Sequence, residues 1–125
     1  MYTLRVKDHF DAAHYIEDYL GKCSRMHGHR WEVEVALEGK KLDKINMLVD
    51  FSIVKKALDK IFNDTLDHHL LNETLEEGNV TAEFLAKWLY EEIGNAVLPN
   101  YNEGELDLVE VTVWESPDCS VTYNG

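Results

Sequence analysis

The sequence WEVEVALE, at residues 31–38, alternates apolar and charged side chains. Val33, Val35 and Leu37 fall on one side of an extended chain, and the glutamates fall on the other. This alternation predicts a β-strand with one buried face. Residues 2–10 repeat the period of two and predict a second strand.

Two later stretches change to helical spacing, with apolar residues three and four positions apart. They predict amphipathic helices at residues 50–66 and 81–96. Candidate N-caps are Asp50 or Ser52 for the first helix, and Asn79 or Thr81 for the second. The side chains expected to face the core are Ile53, Val54, Ala57, Leu58, Ile61 and Phe62 in the first helix, and Phe84, Leu85, Trp88 and Leu89 in the second.

Strand-like alternation returns at residues 108–115, and a Ser-Pro-Asp turn at 116–118 leads to a last strand at 119–123. The order β, β, α, α, β, β predicts an α+β fold in which both helices pack on one face of a four-stranded antiparallel sheet. The other face would be charged, and the sheet would have two open edges. We therefore expect copies of the chain to join their sheets into a closed barrel.

Length and composition limit the function. A chain of 125 residues that is 45% hydrophobic predicts a single domain over residues 1–125. It has neither an apolar run of about 20 residues nor a signal-peptide pattern, so we expect a cytoplasmic protein. The net charge of -12 argues against nucleic acid or an anionic membrane as a partner. Cys23 and Cys119 are expected to stay reduced, and a disulfide between them is the less favoured alternative.

The segment CSRMHGH, at residues 23–29, predicts a metal site. On an extended backbone His27 and His29 point to the same side, and His14 can join them if the first two strands pair. Three imidazoles on Zn²⁺ leave a fourth tetrahedral position open, as catalytic sites do, whereas Cys23 as fourth ligand would make the site structural. The spacing alone does not decide between a catalytic and a structural site. A third alternative is that the His27 and His29 pair binds no metal.

Asp67 and His68, just beyond the first helix, are adjacent in the sequence. A carboxylate bound to an imidazole fixes its tautomer and raises its basicity, which suits a general acid or base near neutral pH. The alternative is a polar helix terminus without a catalytic role. Glu115, at the end of an apolar strand, is either an exposed acid or an anchor in a pocket.

Taken together, these motifs resemble the 6-pyruvoyl-tetrahydropterin synthase and 6-carboxytetrahydropterin synthase family across nearly the whole chain. The matching segments are Phe10-x-Ala-Ala-His14, Cys23-x-x-x-His27-Gly-His29, Val49-Asp50-Phe51, Leu66-Asp67-His68 with Leu71-Asn72, Asn79-x-Thr81-Ala82-Glu83, and Glu115. The sequence departs at Val80, where the family commonly has proline, and at Arg30, where a smaller polar residue is frequent.

The resemblance implies a tunnelling fold (T-fold) whose subunits assemble around a barrel, with active sites between them. A hexamer is expected, with a tetramer as the alternative. The roles implied are zinc binding by His14, His27 and His29; proton transfer by Cys23, Asp67 and His68; pterin binding by Glu115; and further substrate contacts by Thr81, Glu83 and Arg25.

The substrate implied by the resemblance is 7,8-dihydroneopterin triphosphate. The favoured reaction is a zinc-dependent lyase step that gives 6-carboxy-5,6,7,8-tetrahydropterin, acetaldehyde and triphosphate, on the route to queuosine, because the compact chain is typical of the bacterial or archaeal branch. Formation of 6-pyruvoyl-tetrahydropterin is the alternative, and Cys23 argues against a third branch that has glutamate at its position. Outside this family, a non-catalytic zinc module or a hydrolase that uses metal-bound water remains open.

Overall fold

The stretches of period-two alternation fold as four strands in the computed structural model, which describes residues 1–17, 20–21 and 25–125. The strands are β1 (Tyr2–His14), β2 (His27–Gly39), β3 (Asp107–Ser116) and β4 (Cys119–Tyr123). They form one sheet in the order β1-β2-β3-β4, and every neighbouring pair is antiparallel. The predicted four-stranded antiparallel sheet is confirmed.

The first strand is longer than its side-chain pattern predicts. We expected β1 to end at residue 10 and His14 to follow it, but the ladder to β2 continues until His14 lies opposite His27. The pattern fades earlier because Ala12 and Ala13 are both small and apolar, whereas the pairing depends on backbone groups that any residue supplies. His14 therefore belongs to the sheet itself.

The described residues also form three α-helices. They are α1 (Phe51–Ile61), α2 (Leu71–Thr74) and α3 (Ala82–Val97). Asp50 caps α1 by accepting a hydrogen bond from the N–H of Ser52 at 2.8 Å. The α-helix predicted at 50–66 stops at residue 61, and Phe62–Leu66 continues as a wider π-helical turn. The short α2 was not predicted, because four residues are too few for a periodic pattern.

Both long helices pack on the same face of the sheet, as predicted. The sheet contributes Phe10, Trp31, Val33, Val35, Val111 and Val113 to the core, and α3 contributes Leu85, Leu89 and Ile93. Val54 and Leu58 of α1 are buried, as is Phe62 directly after it, and Ala57 and Ile61 are partly buried against the core. The prediction was wrong for Ile53, which is exposed at the first turn of α1. Phe84 and Trp88 are half-buried at the margin of the core.

The opposite face of the sheet is charged, as expected. Arg5 pairs with Glu110 at 3.2 Å, and Lys7 pairs with Glu32 at 3.0 Å.

The edge of the sheet at β1 is partly covered. Residues 68–70 run beside the end of β1, where the N–H of Ala13 donates to the carbonyl of His69 at 3.1 Å. Within the described chain, no strand covers the rest of this edge. None of the described helices has the length and apolar character needed to cross a bilayer.

The N-terminus of α3 gives a test of the fold. The hydroxyl of Thr81 accepts a hydrogen bond from the N–H of Phe84 at 3.1 Å. Thr81→Ala removes this cap and is expected to lower the free energy of unfolding by about 1 kcal/mol in urea denaturation. Thr81→Ser should keep most of that stability, and the exposed Lys87→Ala should change it by less than about 0.5 kcal/mol. Equal losses in the Ser and Ala variants would contradict the capping role.

Candidate metal centre and proton-transfer pair

Three histidines converge because of the register between β1 and β2. His14 lies opposite His27, and Ala12 lies opposite His29. Residues directly opposite each other in an antiparallel pair share a face, so all three imidazoles lie on one face at the end of the sheet. His14 is 1% exposed, and its Nε2 lies 3.1 Å from the Nε2 of His27.

A carboxylate from β3 joins the three imidazoles. The Oε1 atom of Glu115 lies 3.1 Å from Nε2 of His14 and 3.2 Å from Nε2 of His29. All four potential ligand atoms lie within 4.8 Å of one another. The sequence singled out Glu115 but did not associate it with the histidines. Strand alternation was the available signal, because it places Glu115 on the same face as Val111 and Val113.

Backbone carbonyls orient two of the imidazoles. Nδ1 of His14 donates to the carbonyl of Val80, and Nδ1 of His27 donates to the carbonyl of Arg25, both at 2.7 Å. A carbonyl only accepts, so each neutral ring carries its proton on Nδ1 and keeps a lone pair on Nε2. Metal-binding histidines are commonly fixed by such outer contacts. Valine in place of proline at position 80 leaves this carbonyl unchanged.

The cluster has the chemistry of a cation site. Burial lowers the pKa of His29 more than Glu115 raises it, so this ring favours the neutral form that binds metals. The buried Nε2 of His29 has no aligned hydrogen bond, although the carboxylate lies beside it. Lone pairs and a negative charge therefore face one another, and a cation between them would balance them. These residues could hold a metal ion.

Trp31 lies beside the cluster and excludes water from one side of it. Its ring is fully buried, and its centroid lies 4.9 Å from that of His14 and 5.4 Å from that of His29. Its indole N–H donates to the carbonyl of Ala12 at 3.3 Å. The strand pattern predicted Trp31 only as part of β2 and did not indicate its position beside the histidines.

Asn72 links the backbone directly after His14 to the segment that carries the carbonyl of Val80. Its side chain is buried, accepts from the N–H of Tyr15 at 3.0 Å, and donates to the carbonyls of Tyr15 and Gly78, both at 2.9 Å. Tyr15 follows His14, and Gly78 precedes Val80 by two residues. From the sequence, Asn72 had no predicted role beyond its place in a motif.

The predicted Asp67–His68 pair is formed. Oδ2 of Asp67 accepts from Nδ1 of His68 at 2.8 Å, and Oδ1 accepts from the N–H of Asp11 at 3.0 Å. The N–H of His68 returns a hydrogen bond to the carbonyl of Asp11 at 2.6 Å. His68 adopts a left-handed backbone with φ 59°, which is uncommon for a residue other than glycine. Both residues are thus held against β1, the strand that carries His14.

Charge and hydrogen bonding favour the ion-pair form of these two side chains. The N–H of Asp11 and then His68 lower the pKa of Asp67, and Asp67 raises the pKa of His68. The contribution of His68 to stability is complete below its ordinary pKa and is lost as pH rises through the raised value. The contribution of Asp67 is complete above its ordinary pKa and is lost as pH falls through the lowered value.

The structure does not bring this pair to the histidine cluster within one chain. The side chain of His68 is 78% exposed. Among the described residues, neither Asp67 nor His68 forms a hydrogen bond or ion pair with the cluster. His68 is therefore accessible from outside the chain.

The other predicted site residues take different places. The hydroxyl of Thr81 caps α3, and Glu83 is exposed in the first turn of that helix. Arg25 contributes its carbonyl to His27, while its side chain is exposed. Arg30 pairs with Asp11 across the two strands at 3.4 Å. Cys23 lies outside the described residues, and Cys119 is an exposed free thiol.

Comparison with known proteins gives consistent matches. A sequence model of the family described as 6-pyruvoyl tetrahydropterin synthase matches residues 3–125. The 6-carboxy-5,6,7,8-tetrahydropterin synthase of Bacillus subtilis is 34% identical over 118 residues, which cover 92% of this chain and 80% of that protein. The protein of the same name from Synechocystis is 33% identical over 101 residues, 78% of each chain.

A solved structure agrees with these sequence matches. The 6-pyruvoyl tetrahydropterin synthase of Caenorhabditis elegans superposes with a TM-score of 0.83 and 28% sequence identity. The match covers 99% of this chain and 95% of that one. The similarity therefore extends over nearly the whole fold.

The Asp67–His68 contact predicts a shift that can be measured. Asp67→Asn removes the negative charge that raises the pKa of His68, so this pKa should fall towards the ordinary histidine value. NMR titration of the His68 ring measures the change directly. Asp64→Asn is a matched control, because Asp64 precedes Asp67 by three residues and pairs with Lys60. An unchanged midpoint in Asp67→Asn would show that the pair does not form in solution.

Proposed function

Because the chain belongs to the 6-pyruvoyl tetrahydropterin synthase family, we propose that it converts 7,8-dihydroneopterin triphosphate to 6-carboxy-5,6,7,8-tetrahydropterin, acetaldehyde and triphosphate, as a step towards queuosine. The names of the bacterial relatives support the carboxy product. The observation that carries the proposal is the convergence of His14, His27 and His29 with Glu115. The sister reaction, which gives the pyruvoyl product, is the alternative.

Zinc is the proposed metal, held by Nε2 of the three histidines. Nitrogen ligands in a small, rigid set suit Zn²⁺, and a fourth position is available for the substrate. The chemistry that the bound ion supplies is Lewis-acid polarisation of the substrate's side-chain oxygens, which acidifies the neighbouring C–H. The carbonyls of Val80 and Arg25 keep two rings in the tautomer that this role needs.

Cys23, Asp67 and His68 are the proposed proton-transfer groups. Cys23 is assigned by resemblance, and its thiolate would remove the acidified proton, with Arg25 nearby to favour the anion. His68 would then relay protons to and from the pterin. Its contact with Asp67 supports this role, because it fixes the ring and raises the pKa of His68.

Glu115 is the proposed pterin anchor, since a carboxylate can accept two hydrogen bonds from the amino and N–H groups of the ring. Thr81, Glu83 and Arg25 are proposed to contribute to substrate binding. The exposed guanidinium of Arg25 suits the triphosphate. Thr81 would act through the position of α3, because its hydroxyl is used as the cap.

We propose that the active unit is a homo-oligomer, a hexamer or alternatively a tetramer, closed into a barrel. Two features support this assembly: the open edge of β1 over residues 2–10 and the exposure of His68. A site between subunits would bring the Asp67–His68 pair of one chain to the histidine cluster of another. The proposal also includes a single domain over residues 1–125 and a cytoplasmic location. The reason for the location is that the Cys23 thiol needs a reducing compartment.

The direct test incubates zinc-loaded protein with 7,8-dihydroneopterin triphosphate and identifies the products by mass spectrometry. The proposal predicts 6-carboxy-5,6,7,8-tetrahydropterin with acetaldehyde. A pyruvoyl product would favour the sister reaction. No turnover by protein that has bound zinc would contradict both reactions.

Cys23→Ala separates an enzyme from a non-catalytic zinc module. If the thiol is the base, zinc content should remain unchanged while turnover falls by about a hundredfold or more. Metal analysis and the product assay on the same sample measure both quantities. Cys119→Ala is the matched control and should retain turnover, because Cys119 is an exposed thiol on β4. Loss of zinc in Cys23→Ala would favour the structural module.

A further inference from the structure

Glu115 is closer to the histidines than recognition of a pterin ring alone requires. Its Oε1 atom lies 3.1 Å from Nε2 of His14 and 3.2 Å from Nε2 of His29, while His14 and His27 are 3.1 Å apart at Nε2. Ligand atoms around a tetrahedral Zn²⁺, with bonds of about 2.0–2.1 Å, lie about 3.3–3.4 Å from one another. These three separations come close to the edges of such a tetrahedron, and the other three pairs of ligand atoms lie within 4.8 Å.

The surroundings of this carboxylate also indicate a cation. Nε2 of His14 has no proton in the neutral ring, because Nδ1 donates to Val80. Within the described chain, the only polar contacts of Oε1 of Glu115 are with the two imidazoles. A carboxylate oxygen beside this lone pair of His14 is unfavourable unless a positive charge lies between the two atoms.

Accessibility distinguishes Glu115 from His14. The side chain of Glu115 is 32% exposed, whereas that of His14 is 1% exposed. A ligand on the open side of the cluster can be replaced by an incoming molecule without movement of the buried strand pair. Its side chain also has more rotatable bonds than an imidazole, so it can change position while the histidines stay in place.

We propose that Glu115 is the fourth metal ligand before substrate binds, and that a side-chain oxygen of the substrate takes its place. The bond from the metal to Oε1 would break, a bond from the metal to the substrate oxygen would form, and the released carboxylate would remain beside the side chain of the substrate. This inference rests on the metal site of the proposed function. It assigns to Glu115 the closing position that the sequence offered to Cys23.

Metal affinity tests the resting ligand. Zinc dissociation constants are measured by competition with a chelator for the wild-type protein, Glu115→Gln and Glu110→Gln. Glu115→Gln should weaken binding by at least about tenfold, a loss that even an outer partner of a ligand can cause. Glu110→Gln is the matched control, since Glu110 is on the same strand but pairs with Arg5 on the opposite face. It should bind zinc like the wild type.

Cobalt(II) reports the coordination directly, through its visible absorption. Glu115→Gln should change the spectrum of the substrate-free protein, and Cys23→Ala should not. Adding 7,8-dihydroneopterin triphosphate to cobalt-loaded Cys23→Ala, which lacks the proposed base, should change the spectrum as the oxygen ligands exchange. Glu115→Asp, which keeps the charge on a shorter side chain, should have an intermediate zinc affinity and covers the case in which Glu115→Gln does not fold.

Each failure has a distinct meaning. Zinc affinity that is unchanged in Glu115→Gln would overturn the role of Glu115 as resting ligand while leaving the proposed reaction intact. Zinc affinity that is lost in Cys23→Ala would overturn that role as well, and it would favour the structural module over the proposed reaction. A spectrum that stays unchanged while substrate is bound would overturn the exchange. If the wild-type protein binds neither zinc nor cobalt, the metal site of the proposed function itself is wrong.

Discussion

The antiparallel pairing of β1 with β2 determines where the three histidines of the candidate site lie. The register places His14 opposite His27 and Ala12 opposite His29. A slip of one residue would turn the side chains of one strand to the other face and separate the imidazoles. Phe10 and Trp31 lie opposite each other in the same ladder and are both buried. A slip would expose their large apolar surface, so this pair stabilises the observed register.

The same strand links the two halves of the proposed chemistry. The backbone of Asp11 holds Asp67 and His68 through two hydrogen bonds, and three residues later β1 supplies His14. Asn72 then connects the backbone after His14 with the segment that carries the carbonyl of Val80. These contacts orient the reactive groups before any ligand arrives, which reduces the reorganisation that binding and catalysis would need.

Local charge at the site differs from that of the whole chain. The net charge is -12, yet residues 1–30 contain five Lys or Arg and four Asp or Glu. At the cluster, three imidazoles face a single carboxylate. A divalent cation there would exceed the charge of Glu115 and leave the centre positive, so an acidic protein can still offer an anionic substrate a favourable site.

The sequence predicted much of the fold and the convergence of the three histidines, because both depend on periodic side chains and short spacing. The role of these histidines as metal ligands stays a prediction. The strand ladder, the helix caps at Asp50 and Thr81, and the contact of Asp67 with His68 followed from such local patterns. The exposure of Ile53 did not, since the period alone does not show how wide a helical stripe the core covers.

Other features of the site have no signature in the sequence. The carbonyl of Val80 could not be predicted, because every residue has one and only the fold brings it to His14. The contact of Glu115 with the histidines depends on the β2–β3 register, over a separation of more than 70 residues. The separation of His68 from the cluster within one chain likewise depends on how the chain folds, which the adjacent residues Asp67 and His68 do not indicate.

Crystals of the zinc-loaded protein, measured on both sides of the zinc absorption edge, test the central claim most directly. The convergence of His14, His27 and His29 predicts one anomalous peak per chain, about 2.0–2.1 Å from Nε2 of each ring. A peak at other residues, or no peak at this cluster in protein that has bound zinc, would contradict the assignment of the metal centre.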